Sequence, residues 1–412
     1  MTFQSIWLEL VIIMDEKPQK LRSNIIVLGI TSFFTDVSSE MILAILPLFL
    51  TALGAGKAAI GLIEGLAEFA ASTLKIFSGW YSDKLRKRKS LVILGYILST
   101  VAKPFIALAT GWGQVLAVRL MDRMGKGIRT SPRDALIAES SDEKNRGRAF
   151  GLHRMMDTAG AVVGTLLASL LLYIFGRNFN MHIVFQYRMI FLLAVIPGII
   201  SVITLVLFLK EPKFHHEENA SLSVKAALPQ RFFVFLVIVG LFELVHFSYA
   251  LFILRAADLG VPIPLIPIIY LVYNLAYAGF AMPAGYLADW FGKKKLLAIG
   301  YLLFGLMCWG FAVASSPVHA WLLFILFGLS VAIVDSVPRA MVPAMVSPNL
   351  KGTAYGMYHM VIGVLDLPAT AVGGLVWDIF GKTTGPIITF GYAAVVAAVA
   401  AFLLLVFVPK KQ

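Results

Sequence analysis

The amino-acid sequence predicts an all-α membrane protein of twelve transmembrane helices, arranged as two pseudo-symmetric six-helix bundles. Three observations predict this fold: an apolar composition, twelve long apolar runs, and a pattern that repeats at half the chain length. Of the 412 residues, 59% are hydrophobic and only 14% are charged, whereas soluble domains average about 45–50% apolar and about 25% charged residues. The mean hydropathy of +0.84 indicates that lipid surrounds most of the chain.

Twelve apolar runs have the length of spanning helices, each of which needs about 20 residues. Barrel strands would instead alternate over about ten residues, so the runs exclude a membrane barrel. We number the runs as spans 1 to 12. In the first half they are predicted near 23–50, 58–81, 90–110, 113–139, 146–174 and 186–209. In the second half they are predicted near 230–256, 262–288, 294–315, 318–345, 352–379 and 386–408.

These bounds divide the chain into four parts. We expect a cytoplasmic N-terminal segment (1–22), an N-terminal six-helix bundle (23–210), a cytoplasmic linker (211–228) and a C-terminal six-helix bundle (229–412). No cleavable signal peptide is expected, because no small-residue cleavage site follows the short apolar run of residues 5–13. Residues 1–13 are expected to be a dispensable extension or a misassigned start, since Met14 begins a hydrophilic segment.

Lysine and arginine gather in alternate loops, which predicts the orientation of the chain. The basic segments are 84–89, 144–148, 293–295 and 410–411, whereas the loops at 110–113 and 315–317 carry no charge. Because positively charged loops stay in the cytoplasm, we expect a multi-pass protein of the cell inner membrane with both termini cytoplasmic. The net charge of +12 then reflects topology, and no nucleic-acid partner is expected.

Three separate segments recur in one register across the two halves of the chain. The sequence Gly-Trp-Tyr-Ser-Asp at 79–83 returns as Gly-Tyr-Leu-Ala-Asp at 285–289, and Pro132-Arg133 returns as Pro338-Arg339, both 206 residues later. The segment 146–151 returns 205 residues later. Unrelated apolar helices would not keep one register through their loops, so the chain is predicted to be a duplicated six-helix unit.

The loop after span 2 and its second copy carry a recognisable pattern of glycine, aspartate and basic residues. The matching residues are Gly79, Asp83, Lys84, Lys87 and Arg88, and in the second copy Gly285, Asp289, Gly292, Lys293 and Lys294. With these loops the chain resembles the major facilitator superfamily of secondary transporters, whose loop signature is Gly-x-x-x-Asp-Arg-x-Gly-Arg-Arg. The chain departs from it at Arg86, which replaces a glycine, and at Trp290, which replaces a basic residue.

The resemblance implies two bundles around a central cavity, lined by spans 1, 4, 7 and 10 and opened alternately to each side of the membrane. It also implies a cytoplasmic gate in the repeated loops, where basic side chains can bind carboxylates and helix ends. The expected gate residues are Gly79, Asp83, Lys87, Arg88, Gly285, Asp289 and Lys293. The alternative is that these basic residues only set topology.

Two weaker family signatures leave the direction of transport open. In span 4, Arg119 and Arg123 precede Gly125 and Gly127 and approximate a pattern of the family. In span 5, Gly160 and Gly164 match the antiporter-type pattern Gly-x-x-x-Gly-Pro, but Thr165 replaces its proline. Export is therefore not supported by a motif.

Charged residues inside the spans are the strongest candidates for function. A charge near the bilayer centre costs on the order of 2.5–3.5 kcal/mol, so such residues must face partners or water. Asp36 and Glu40 share one face of span 1, and Glu64 and Glu68 share one face of span 2. Span 4 carries a stripe at helical spacing, which consists of Arg119, Asp122, Arg123, Lys126, Arg129 and Arg133.

These charges divide into two sets of candidates. Because desolvation favours the neutral form of a carboxyl group, and because histidine titrates near neutral pH, the candidates for proton coupling are Asp36, Glu40, Glu64, Asp157 and His246. The candidates for solute binding are Arg119, Asp122, Arg123, Lys126, Arg154, Glu243 and Arg339. The alternative for each is a structural ion pair or a packed side chain.

We therefore expect a secondary active transporter that is proton-coupled and moves a small organic anion or zwitterion by alternating access. The alternative is a proton-driven exporter of drugs or metal-related compounds. The sequence has no Walker loop, His-Glu-x-x-His or Cys-x-x-Cys motif, so we expect no enzyme activity, no cofactor and no metal. The expected partners are the solute, protons and the lipid bilayer, and the expected assembly is a monomer.

Overall fold

The computed structural model describes residues 19–85, 88–141, 146–179, 181–211, 228–347 and 351–408, and every regular element within them is helical. Spans 1 to 6 are Gln19–Leu43 with Leu46–Ala52, Lys57–Leu85, Arg88–Leu108, Trp112–Glu139, Arg146–Arg177, and Ile183–Leu193 with Val195–Phe208. Spans 7 to 10 are Gln230–Glu243 with Tyr249–Asp258, Ile266–Phe291, Lys293–Val313 and Pro317–Met345, and spans 11 and 12 lie within Lys351–Phe407. The predicted fold class is confirmed. Residues 1–18, and 212–227 of the predicted linker, lie outside the described part.

Two spans are interrupted near the middle of their helices. In span 1 the helix ends at Leu43 and resumes at Leu46, because Pro47 has no N–H to donate to the carbonyl group of Leu43. In span 7 residues 244–248 are not helical, and Ser248 begins the next helix by accepting a hydrogen bond from the backbone N–H of Ala250 at 3.4 Å. Unwound backbone at membrane depth occurs where it faces protein or a cavity, so both breaks point to the interior.

Spans 11 and 12 join more tightly than the sequence predicts. The expected loop at 380–385 is almost entirely helical, and the break falls on Gly381, whose φ is +72°. The chain folds back there, since a side chain at Gly385 would place its Cβ 2.5 Å from the carbonyl oxygen of Trp377. A glycine adopts this left-handed backbone without steric cost.

Eight helical stretches among the described residues are long and apolar enough to cross a membrane, and one of them comprises both span 11 and span 12. Spans 2, 4 and 7 are not among them. Spans 2 and 4 each carry several intramembrane charges, and span 7 is divided into two short helices. Spans 4 and 7 are two of the four spans expected to line the cavity, whereas span 2 is not one of those four.

Tight packing inside the first half depends on small residues of span 4. A side chain at Gly125 would place its Cβ 2.6 Å from the carbonyl oxygen of Gly95 on span 3, and one at Gly127 would lie 2.7 Å from that of Ala71 on span 2. Gly160 and Gly164 of span 5 lie in the same way against the backbone of span 1 at Phe33 and Val37. The glycines of the two weaker signatures thus allow close helix contacts.

We call the end of the bundle at 84–89 and 293–295 the basic end, and the end at 53–57 and 378–384 the neutral end. Described contacts between the halves run from the neutral end to the middle of the bundle. Span 2 follows span 11 as far as Ser72, whose Cβ lies 3.1 Å from the Cβ position of Gly363. Spans 2 and 11 thus form one seam between the halves, and spans 5 and 8 form the other.

At the basic end a cleft of about 470 Å³ lies within the second half, between spans 8 and 10 and beside Tyr286 and Lys293. At the neutral end the two halves are in direct contact, since a side chain at Gly374 of span 11 would overlap the carbonyl oxygen of Lys57 on span 2. The bundle is therefore closed at the neutral end.

Candidate functional site

A buried ion pair joins spans 2 and 4 inside the first half. Arg119 donates from Nε to Oε1 of Glu64 at 3.1 Å and from Nη2 to Oε2 at 2.9 Å, while its Nη1 reaches Oδ2 of Asp122 at 2.9 Å. Only 2% of the Arg119 side chain is exposed. The phenol hydroxyl of Tyr249, on span 7 of the other half, lies 3.5 Å from the same Glu64 carboxylate. Glu64 is thus engaged on several sides, as a structural counter-ion would be.

One turn further along span 4, the cations are paired only loosely. Arg123 lies 4.0 Å from the nearest carboxylate oxygens of Glu68 and Asp122. Lys126 forms no ion pair within 4.0 Å in the described part of the chain, and the ammonium group of Lys75 lies 3.7 Å from Glu68. These cations surround one carboxylate, that of Glu68, without a close contact. Such an arrangement leaves room for an added anion.

Spans 1 and 5 bring two candidate carboxyl groups together. Asp157 accepts a short hydrogen bond from the hydroxyl of Ser32 and a contact from Nη1 of Arg154 at 3.3 Å. Asp36 lies within hydrogen-bonding reach of the same carboxyl group. Two carboxyl groups can share a hydrogen bond only when one of them carries a proton. Asp36 and Asp157 are therefore a pair of carboxyl groups that could hold one proton between them.

Glu40 lies on the same face of span 1 as Asp36, one turn deeper. Its Oε2 is buried without a hydrogen-bond partner in the described chain. It is within electrostatic range of Arg123 and Lys126 on span 4, and of Tyr270 on span 8 of the other half. Glu40 thus links the carboxyl pair to the loosely paired cations.

Lys103 on span 3 is a buried charge that is not among the site residues predicted from the sequence. Its side chain is 2% exposed, and Nζ donates to the hydroxyl oxygens of Ser38 at 2.5 Å and Ser39 at 3.3 Å. Its hydrogen-bond partners in the described chain are hydroxyls, not carboxylates. A single lysine inside the apolar run of span 3 was the available signal.

In the second half, the break in span 7 places two candidates against each other. Nδ1 of His246 lies 3.1 Å from Oε2 of Glu243, whose residue is 4% exposed. Aromatic rings enclose the pair: Phe242 stacks on Tyr301 with 4.0 Å between ring centroids. The sequence predicts Glu243 as a residue for solute binding and His246 as a residue for proton coupling. In the structure the two side chains form one pair.

The side chains of Arg339 and Arg154 are exposed and do not belong to the buried charges described above. Arg339 pairs with Asp335 at 3.7 Å, and Asp335 accepts a hydrogen bond from the hydroxyl of Tyr277 at 3.1 Å. The guanidinium of Arg154, with 62% of its side chain exposed, lies 5.9 Å from the Tyr277 ring centre across the seam of spans 5 and 8.

The expected gate residues that the structure describes contact their own halves in this conformation. Arg88 pairs with Glu139 at 2.9 Å, and Lys293 donates to the carbonyl oxygen of Ala340 at 3.4 Å. A Cβ at Gly79 would lie 3.3 Å from that of Ser131. Lys87 and the side chains of Asp83 and Asp289 lie outside the described part.

Two repeated helical halves with ionised groups buried inside them are typical of a membrane transporter. The chain belongs to the major facilitator superfamily: the model of that family, described as Major Facilitator Superfamily, matches residues 28–254 and again 231–412. The resemblance predicted from the loops is confirmed, and so is the expectation of a transporter and not an enzyme.

Relatives of known sequence support the same assignment. An uncharacterized MFS-type transporter of Methanocaldococcus jannaschii is 37% identical over 398 residues, which are 95% of this chain and 96% of that protein. A multidrug resistance protein, MdtH of Photorhabdus laumondii, is 34% identical over 124 residues, which are 30% of this chain and 31% of that protein.

Solved structures share the fold at low sequence identity. The nucleoside transporter NupG is 17% identical with a TM-score of 0.78, covering 94% of this chain and 99% of that one. A bacterial homologue of the human lysosomal transporter Spinster, in an inward-facing and occupied conformation, is 16% identical with a TM-score of 0.78, covering 95% of this chain and 97% of that one.

Proposed function

We propose that this transporter is a proton-coupled symporter of a small organic anion or zwitterion, working by alternating access. The observation that carries the proposal is the position of Glu40, a carboxyl group with an unpaired buried oxygen beside the loosely paired cations Arg123 and Lys126. One group can take up a proton and its neighbours can bind an anion. Arg119 and Asp122 position this site through their ion pair, and Glu243 and Arg339 are the candidates for solute binding in the second half.

The surplus of cations supports an anionic or zwitterionic solute. Arg119 is matched by Glu64 and Asp122, so it adds little net attraction. Arg123 and Lys126 have no carboxylate closer than 4.0 Å in the described chain. A carboxylate, phosphate or sulfonate group could therefore bind there without first displacing a close ion pair.

Proton and anion would bind cooperatively at this site. Protonation of Glu40 removes a negative charge beside Arg123 and Lys126, which strengthens their attraction for an anion. By reciprocity, a bound anion strengthens proton binding to Glu40 to the same degree. Opposite charges that favour each other's binding are carried in the same direction, which is why we propose symport.

The second candidate function is proton-driven export of drugs, favoured by the partial match to a multidrug resistance protein. A cationic drug would compete with protons for Asp36, Asp157 and Glu40. Solute affinity would then rise with pH, whereas symport of an anion requires affinity to fall as pH rises. The sign of this dependence separates the two functions.

We further propose that the basic end faces the cytoplasm, that the membrane is the cell inner membrane, and that the protein acts as a monomer. The positive loops at this end support the orientation. A fluorescent protein fused to the C-terminus should be bright in living cells, and a fused alkaline phosphatase should be inactive; the reverse result would overturn the orientation.

The test of function uses purified protein in liposomes that contain a pH-sensitive dye. A panel of organic carboxylates, phosphate esters, sulfonates, amino acids and cationic drugs is added outside. We expect that some anions or zwitterions acidify the lumen, and that a proton ionophore abolishes their accumulation. Accumulation that survives collapse of the pH gradient would exclude proton coupling, and lumenal alkalinisation by cationic drugs alone would establish the second candidate.

A further inference from the structure

Asp378 of span 11 binds the beginning of span 2 across the two halves of the protein. Its Oδ1 accepts a hydrogen bond from the backbone N–H of Lys57 at 3.1 Å, and its Oδ2 accepts one from the N–H of Ala58 at 2.9 Å. These are the first two residues of the helix Lys57–Leu85, whose N–H groups have no partner within the helix. A carboxylate there also meets the positive end of the helix dipole.

The residues around this contact are two glycines and a tryptophan, which let the backbone of span 2 approach span 11 closely. A side chain at Gly56 would place its Cβ 2.6 Å from Oδ2 of Asp378, and one at Gly374 would overlap the carbonyl oxygen of Lys57. The ammonium group of Lys57 lies 5.0 Å from the ring centre of Trp377, which is fully buried. Asp378 is itself exposed, so the contact lies at the outer edge of a seam whose backbone segments pack closely beneath it.

We propose that Asp378 is a latch that stabilises the conformation closed at the neutral end and that releases span 2 in each transport cycle. The proposal rests on the alternating access proposed above. When the halves separate at the neutral end, the seam between spans 2 and 11 must open, and the carboxylate loses both N–H groups together. Without the latch, the form closed at the neutral end loses the free energy of one helix cap. The ratio of the open to the closed form should then increase about fivefold or more.

Spin labels report this opening without any solute. Cysteines are placed at Ala52 and Thr383, which are exposed at the neutral end in different halves, with the buried Cys308 replaced by alanine. Double electron–electron resonance then measures the distance between the labels in detergent and in lipid nanodiscs. In the otherwise unchanged protein we expect mainly the short distance of the closed form.

Asp378→Ala should shift the distribution towards longer distances by at least about fivefold in population. Asp378→Asn, which keeps one acceptor oxygen, should give a smaller shift in the same direction. Asp258→Ala removes an exposed carboxylate at the end of span 7 in the same half and should leave the distribution unchanged. Identical distributions for Asp378→Ala and the parent, or an equal shift for Asp258→Ala, would overturn the latch.

Gly56→Ala provides a second arm that leaves the carboxylate in place. Its Cβ would displace Oδ2 of Asp378, so we expect the same lengthening; an unchanged distribution would count against the latch. Lys57→Ala keeps the backbone N–H and removes only the contact with Trp377, so it should shift the distribution less than Asp378→Ala. Because no solute or proton gradient is needed, failure of the latch and failure of the proposed symport give separate results.

Discussion

Glu64 and Arg119 bind each other through two hydrogen bonds between their side chains, at 3.1 and 2.9 Å, although both lie inside membrane-spanning helices. The contact ties span 2 to span 4 and gives the Glu64 carboxylate close partners, while its role in proton coupling stays a prediction. Spacing along a helix identifies the face that a charge occupies, but the partner across that face depends on the packing of another helix.

The first prediction is that this pair is structural and strongly coupled. Glu64→Gln or Arg119→Gln alone should destabilise the protein by about 3–5 kcal/mol, because Glu64→Gln removes the bidentate partner of Arg119 and Arg119→Gln leaves the buried Glu64 carboxylate without a cation. The double variant should recover most of that loss. Thermal unfolding of the purified protein in one detergent measures all three. Additive losses in the double variant would show that the pair is not coupled.

The second prediction concerns the carboxyl groups of span 1. Asp36→Asn and Glu40→Gln should abolish solute accumulation and retain solute exchange across the membrane, because each removes a proton site without adding charge. Uptake against a gradient and counterflow in proteoliposomes measure the two activities. The matched control is Asp258→Asn, which changes an exposed carboxylate and should accumulate normally. Full accumulation in both span 1 variants would clear these residues of the role.

Much of the fold was accessible from the sequence because lipid imposes a simple rule on it. Apolar runs of spanning length and basic loops follow from the lipid environment, and the 206-residue repeat was visible because three motifs recur in one register. The stripe on span 4 was equally visible, since charges in an apolar run at helical spacing must share a face. The sequence did not show which of those charges have a close ion-pair partner. Arg119 and Arg123 look alike in sequence and differ only in the carboxylates that other helices place beside them.

The break in span 7 was not predictable from local residues. The segment 244–248 reads Leu-Val-His-Phe-Ser and contains neither glycine nor proline. The structure shows a tertiary cause: the backbone N–H of Ser248 donates to the hydroxyl oxygen of Thr370 on span 11 at 2.9 Å. A bond to another helix replaces the bond that would continue this one, and the pairing of Glu243 with His246 follows from it.

The third prediction separates solute binding from stability on span 4. Arg123→Gln should weaken solute binding about tenfold or more, because it removes a charged donor from the anion site, and should leave the melting temperature nearly unchanged. Arg129→Gln is the matched control. Arg129 donates to the hydroxyl of Ser99 at 2.6 Å and stacks 4.3 Å from the Tyr96 ring centre, so its loss should lower the melting temperature and spare affinity.

Binding for this comparison is measured by calorimetry with the solute found in the liposome panel, at several pH values. For an anion carried with a proton, affinity should increase as pH falls, and Glu40→Gln should flatten that dependence. Unchanged affinity in Arg123→Gln would move the anion site elsewhere. A pH dependence of opposite sign would favour competition between the proton and a cation.

The fourth prediction concerns the buried ammonium group of Lys103. Loss of its hydrogen-bond acceptors should lower protein stability more than loss of the charge itself. The ammonium group is desolvated and donates to Ser38 and Ser39. Ser38→Ala removes the closer acceptor and should destabilise the protein by about 1–3 kcal/mol. Lys103→Met keeps the length of the side chain and removes the charge, so stability should stay equal or increase.

The double variant distinguishes this account from simple packing at span 3. The Ser38 hydroxyl also donates a short hydrogen bond to the carbonyl oxygen of Ala194 on span 6, so Ser38→Ala has a cost that does not involve Lys103. If the main cost of Ser38→Ala is the ammonium group of Lys103 left without its acceptor, Ser38→Ala should destabilise the protein much less in the Lys103→Met background than in the parent. Thermal unfolding measures both losses. An equal cost in both backgrounds would assign the whole effect to the contact with Ala194.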